Sequence, residues 1–245
     1  MGAQPGEESL LGKLMKYSDI GSAVAIVGIV GMLIVPLPPD LLDVLLAFNL
    51  ACAIITVLIS IYIEEPLQFA VFPTVLLVAT LFRLALDVSA TRMILLHGNE
   101  IDMVTKMPTG AGHLIPTFGQ VAVGGNLIVG FIMFIILIII QIMVITNGAE
   151  RIAQVAARFN LDAMPGKQMA IDADLNQGAI TDAEASERRK KIQREADFYG
   201  AMDGASKFVK GDAIAAIIII IINITGGFVI GMVQRNMTAV SCTFL

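Results

Sequence analysis

Apolar and polar residues follow one another along this chain in long blocks, not at the short period of an amphipathic surface helix. A first block, GSAVAIVGIVGMLIVPL, stops at Pro36 and the Pro38-Pro39 pair, and a second runs from about Leu41 to Ile63. So short a Pro-rich connection predicts a tight helical hairpin. Glu64, Glu65 and Pro66 end the second block; the third runs from about Leu67 to Leu96, the fourth from about Val121 to Thr146 and the fifth from about Ala213 to Val233. Blocks of this length suit helices crossing a hydrocarbon core of about 30 Å. The third would reach roughly 45 Å as a helix, which predicts tilt or projection beyond the membrane. The pattern gives an all-α fold, a polytopic transmembrane helical bundle. It comprises an N-terminal segment 1–18, four spans within 19–147, a polar segment 148–211, a fifth span 212–233 and a tail 234–245.

Finer pattern adds detail. Leu10, Leu11, Leu14 and Met15 fall on one face if the N-terminal segment is helical, which fits a short interfacial helix as well as a frayed terminus. Asp19 reads as the cap of the first span. No small-x-small site follows that span, so it reads as a retained anchor and not a cleaved signal. In the polar segment, Ile152, Val155, Ala156 and Phe159 recur at helical spacing, which predicts that the fourth helix continues with a narrow apolar face. Pro165-Gly166 predicts a turn. Thr181-x-x-Glu184 is a capping box that opens a second helix to about Tyr199, with Glu184–Arg188 and Glu187–Lys191 as supporting pairs. Its RRKK run reads as a solvated face, or one touching anionic lipid.

Composition reinforces the membrane reading: 56% of residues are hydrophobic and 15% charged, and the mean hydropathy is +0.81. Such values exclude an ordinary soluble domain. The basic footprint of a nucleic-acid binder is missing. Cys52 and Cys242 form neither a disulfide framework nor a zinc spacing, so no redox, metal or cofactor chemistry is expected.

Charge fixes the expected orientation. Ten of the sixteen Lys and Arg residues lie in 148–211. With the N-terminus inside, Lys13 and Lys16 join those ten in the cytoplasm, against Arg92, Lys106 and Arg235 outside. A polar loop, 97–119, fits the external side, and the tail emerges there too.

Several chemical patterns fail on inspection. Pro165-Gly166-Lys167 lacks the earlier Gly of a phosphate loop, since Leu161 stands there, and Gln168 replaces the magnesium-holding hydroxyl. Asp172-x-Asp174-x-Asn176 resembles the start of a calcium loop, yet Gln177 occupies the glycine position and Ala183 that of the closing Glu. No nucleophile, base and orienting group occur together, so no enzymatic activity is expected.

Three features remain. Arg83 and Asp87 are four residues apart and share a helix face within the third span, either as a structural pair or as a functional intramembrane site. Asp212 follows Lys207, Lys210 and Gly211 at the entrance to the fifth span. It reads either as the N-cap of that helix or as a proton-accepting carboxylate at the membrane surface. Gly227-x-x-x-Gly231 is a close-packing pattern for neighbouring helices.

The run RIAQVAARFNLDAMPGKQMAIDAD, from Arg151 to Asp174, resembles the signature of the FHIPEP family, the export-gate proteins of bacterial flagellar and type III secretion apparatus. FPTVLLVATLFRLALDVSATRMILLHG and FYGAMDGASKFVKGDAIA extend the resemblance over about residues 19 to 235. The segments READFYGAMDGASKFVKGDAIA and RLALDVSATRMILLHG are similar to the flagellar branch more than to the injectisome branch. The resemblance implies an inner-membrane component of a protein export gate that couples the proton motive force to export. It implies roles in that coupling for Arg151, Arg158, Asp162, Lys207 and Asp212. It also implies a homo-oligomeric ring, other gate membrane proteins as neighbours, and a C-terminal cytoplasmic domain, absent from this chain, that docks substrates and chaperones. A purely structural membrane scaffold is the competing reading, and a small-solute transporter is disfavoured because paired interrupted helices are missing.

Overall fold

The computed structural model describes the backbone of residues 10–97, 110, 112–124 and 127–234. Lys106, Arg235 and Cys242 lie outside the described residues, as do the side chains of 10–20 that would form the N-terminal apolar face. The described elements are helical: α1 (Leu10–Ile34), α2 (Pro39–Tyr62), a 3-10 turn (Pro66–Phe69), α3 (Phe72–His97), α4 (Leu114–Val123) and α5 (Leu127–Ile139). α6 (Asn147–Asn176) and α7 (Asp182–Val229) follow. π-helical turns join α5 to α6 (Ile140–Thr146) and extend α7 (Ile230–Gln234).

Four of these stretches are long and apolar enough to cross a membrane: Pro39–Tyr62, Phe72–His97, Ile128–Asn176 and Asp182–Val233. The apolar part of α1, Ala23–Ile34, is shorter. The α1–α2 hairpin forms as the prolines predict. Pro39 sits in the first turn of α2, where a missing N–H costs nothing, and Pro38 is extended ahead of it.

α3 is the packing centre, lying against α1, α2 and α7. It buries Ala85, Leu86, Ser89, Ala90 and Met93. Leu42, Leu86 and Ala90 form a buried apolar cluster, and Met32, Phe82 and Ile115 pack around it. Two charged side chains tie this end together by capping helices remote in sequence. Arg92 donates to the carbonyls of Ile34 and Leu33 at the C-terminus of α1, at 2.8 and 3.0 Å. Asp43 of α2 accepts from the amides of His113 and Leu114, at 2.7 and 3.1 Å, at the start of α4. Each places its charge where the helix dipole favours it. Gly112 makes the second contact possible: its φ is +88°, and a Cβ there would collide with the Asp43 carboxylate.

Three local expectations are corrected. Asp19 is interior to α1, not its cap, because the helix already runs from Leu10. Pro165 lies inside α6, which continues to Asn176, so Pro165-Gly166 makes no turn. The chain reverses instead at Gly178, where φ is +71°, with Ala179 donating to Asp174 at 2.9 Å. Beyond Pro165, Lys167 pairs with Glu195 at 2.9 Å, Arg188 with Asp174 at 3.2 Å, and Arg189 with Asp172. Those cross-hairpin contacts hold the last turns of α6 on α7 and offset the hydrogen bond that proline removes. The capping box at Thr181 forms as expected. Arg188 and Lys191, however, reach Asp174 and Glu65 and not the expected glutamates one turn away along α7.

Candidate functional site

α7 carries both groups of candidate residues on one uninterrupted helix. Asp212 lies well inside it, thirty positions from its first residue, Asp182. An N-cap has non-helical geometry ahead of the first turn. Asp212 is therefore not a cap, and the capping alternative falls.

Pairs between α3 and α7 show how the two pack. Asn223 donates to the Thr91 hydroxyl at 3.3 Å. A Cβ added at Gly226 would stand 3.2 Å from Leu95 Cδ2. Arg83 and Asp87 are within Coulombic reach of Asp212. Residue numbers rise together on both helices, so they run parallel. Of the expected Gly227-x-x-x-Gly231 pair, Gly231 is buried, whereas a Cβ at Gly227 would meet nothing within 4 Å.

Asp212 is only 8% exposed, and its Oδ1 has no hydrogen-bond partner. Arg83 and Asp87 stand 3.9 Å apart, a loose pair with a half-exposed guanidinium. The seam thus holds two carboxylates and one guanidinium, so a negative charge on both acids is incompletely matched. Farther along, Asn223 Oδ1 is also buried without a partner. Such atoms mark places where water or a transferred proton lowers the free energy.

The second group faces α6. Arg158, Asp162, Asp203 and Lys207 line a cleft of about 310 Å³ between α6 and α7, with Gln154 and Leu161. Arg158 and Asp162 pair along α6 at 3.5 Å, both largely exposed. Lys207 donates to Asp203 at 2.7 Å. Three sequence candidates, Arg158, Asp162 and Lys207, therefore come together. Arg151 is exposed on α6 and does not line this cleft.

Sequence reasoning missed two members. Asp203 holds Lys207 and keeps Oδ1 buried and unpartnered; its spacing of four from Lys207 was available as a signal. Glu150, mostly buried, takes Lys210 at 2.7 Å across the hairpin, a pairing that needs the fold to be seen. Asp172 and Asp174, the start of the calcium-like pattern, are held by Arg189 and Arg188. Among the described residues, no group of three His, Cys, Asp or Glu is placed to hold a metal.

α7 joins the two groups mechanically. Asp203 and Lys207 line the cleft against α6, whereas Asp212 is buried within Coulombic reach of Arg83 and Asp87 on α3, all within a few turns of one continuous helix.

Comparison with known proteins supplies the family. No solved structure matches the chain. The chain is 57% identical to the flagellar biosynthesis protein FlhA of Bacillus subtilis over 91% of its length, which is 32% of that protein. It is 54% identical to the FlhA of Caulobacter vibrioides over 96% of its length, 33% of that protein. It is 51% identical to the low calcium response locus protein D of Yersinia pestis, over 96% of its length and 32% of that protein. The chain thus spans about a third of the length of these relatives. The FHIPEP family model matches residues 29–243, and the chain belongs to that family.

Proposed function

We propose that this chain is an inner-membrane, multi-pass part of a type III protein export gate of the flagellar kind, coupling the proton motive force to protein export. The relatives named for flagellar biosynthesis support the flagellar branch, and the long apolar helices support the membrane location. In this reading α1, α2, α3, the α5–α6 rod and the apolar half of α7 cross the membrane. The N-terminus, the α6–α7 hairpin and its basic residues lie in the cytoplasm, following the positive-inside bias. Copies of the chain assemble as a ring beside other gate proteins, and substrates and chaperones dock on a C-terminal cytoplasmic domain.

One observation carries the coupling: Asp212, buried in mid-helix with an oxygen unpartnered, beside Arg83 and Asp87. A charge in that setting costs a few kcal/mol on insertion scales, so a gain elsewhere must offset it. Proton binding and release at Asp212 alters the charge balance of the α3–α7 seam. Because α7 is continuous, that change is carried to Asp203 and Lys207 in the cleft against α6.

The test is flagellar-type secretion in cells bearing Asp212→Asn, with membrane level quantified in parallel. Asparagine keeps the size of the side chain and removes its titration. Export lost at an unchanged membrane level is the expected result. Export preserved, or lost only in proportion to the protein, would reduce Asp212, Arg83 and Asp87 to packing groups of a scaffold.

A further inference from the structure

Two adjoining hollows lie where the 3-10 turn between α2 and α3 meets α7, and neither belongs to the groups described above. The first, about 280 Å³, holds the charged groups: Glu65, Asn160, Lys191, Glu195 and Tyr199 line it together with Leu67 and Phe198. The second, about 200 Å³, is apolar, with Ile63, Phe69, Phe72 and Met202 in its wall. Pro66 and Phe198 are shared by both, so the hollows meet at one rim. This level of the bundle is also where α2 ends at Tyr62 and the chain turns polar at Glu64 and Glu65. A hollow bearing charged groups over one with none, at such a boundary, has the division of an amphiphile.

We propose that this pair of hollows holds one zwitterionic phospholipid of the phosphatidylethanolamine type. The first part of one acyl chain enters between Phe69, Phe72 and Met202. The headgroup rests between Lys191 and Glu65. The site rests on the membrane reading given above, which places the rim at the inner leaflet.

Charge decides the headgroup class. Lys191 meets Glu65 at 3.4 Å, with both side chains more than half exposed, so this loose pair opens readily to admit a ligand. Its ammonium then faces the lipid phosphate. Glu65, released from Lys191, accepts from the lipid ammonium, whose N–H groups form charge-assisted hydrogen bonds with carboxylates, while Glu195 stays on Lys167 at 2.9 Å. The rings of Phe198 and Tyr199, edge to face at 5.5 Å, give the cation an aromatic wall. With Lys167 neutralising Glu195, a phosphoglycerol headgroup, which has no cation, would take Lys191 and leave Glu65 unpaired beside its net negative charge. The lining therefore favours the zwitterion.

The experiment is native mass spectrometry of the protein purified in mild detergent, delipidated, and titrated with phosphatidylethanolamine or phosphatidylglycerol. One bound phosphatidylethanolamine, retained at lower lipid concentration than phosphatidylglycerol, is expected. Met202→Trp fills the apolar hollow and should abolish retention of both. Glu65→Gln, at an exposed position that leaves folding intact, should erase the preference, and Glu65→Gln with Glu195→Gln should reverse it toward phosphatidylglycerol. Equal or better retention of phosphatidylglycerol by the unmodified protein overturns the proposal. So does a preference that survives the glutamate changes. Membrane extraction at alkaline pH, scored separately, tells loss of this site from failure of the membrane reading itself.

Discussion

Against α3, α7 sets Asp212, Asn223 and Gly226; against α6 it sets Arg188, Arg189, Glu195 and Lys210. The first contact has few polar atoms, but they are buried and several lack partners. The second has many ion pairs, most of them open to solvent. Coulomb energy rises as the effective dielectric falls, so one carboxylate in the seam outweighs several pairs on the hairpin. The number of charges along a helix is thus a poor guide to where charge matters. What surrounds each charge is the better one.

The largest expected effect lies on α3 itself, in its apolar contact with α1 and α2. Leu86 is fully buried on α3 beside Leu42 and Ala90. Leu86→Ala should destabilise the bundle by about 2–5 kcal/mol, through lost transfer energy and the cavity left behind. Thermal unfolding in detergent, followed by far-UV circular dichroism, measures it. A loss no greater than that from a single hairpin pair would break the comparison, since it would mean that α3 is not the packing centre.

A smaller effect is expected at the turn of the hairpin. Thr181 accepts from the Glu184 amide at 3.3 Å, and Glu184 accepts from the Thr181 amide at 2.8 Å. Thr181→Ala should cost about 1 kcal/mol, read from hydrogen exchange at the start of α7. Glu184 lies at the polar end of α7, far from its apolar half. The Thr181 amide, and then its hydroxyl, hold the Glu184 carboxyl below its ordinary range. A depressed carboxyl stabilises the fold above its unfolded-state value, and that contribution is lost as pH falls through the folded value. Protection at this turn should therefore drop in mild acid in the parent and stay flat in Glu184→Gln.

These sites differ in how legible they were. The apolar blocks gave α2 to within two residues and the end of α3 to within one, because a run of that length has no other stable arrangement in lipid; α3 starts five residues late, at Phe72, after the 3-10 turn Pro66–Phe69. The capping box at Thr181 was equally legible, since its signal is complete within four residues. Pro165 misled because a local rule for ending helices was outweighed by ion pairs to a second helix, which no local window contains. Asp212 misled for the related reason that Gly211-Asp212 before an apolar run looks like a start, although the helix had begun at Asp182. The interhelical caps made by Asp43 and Arg92 were invisible, because acceptor and donor lie far apart in sequence. In the α6–α7 cleft, helical periodicity could place Arg158 with Asp162 and Asp203 with Lys207, but bringing the two pairs together needed the turn at Gly178.

The smallest predicted effect bears on the hairpin alone. Arg188 and Asp174 meet at 3.2 Å with about half of each side chain open to solvent. A double-mutant cycle of Arg188→Ala and Asp174→Ala should give a coupling of about 0.2–1 kcal/mol, screened further by added salt. The pair spans the turn at Gly178, so an exposed interaction of that size adjusts the hairpin without deciding whether it forms. If the coupling instead reached several kcal/mol and resisted salt, the pair would have to be desolvated, and the hairpin face would have to be covered in the assembled protein. That outcome would place buried charge on both sides of α7, and its two contacts would then differ in partner but not in kind.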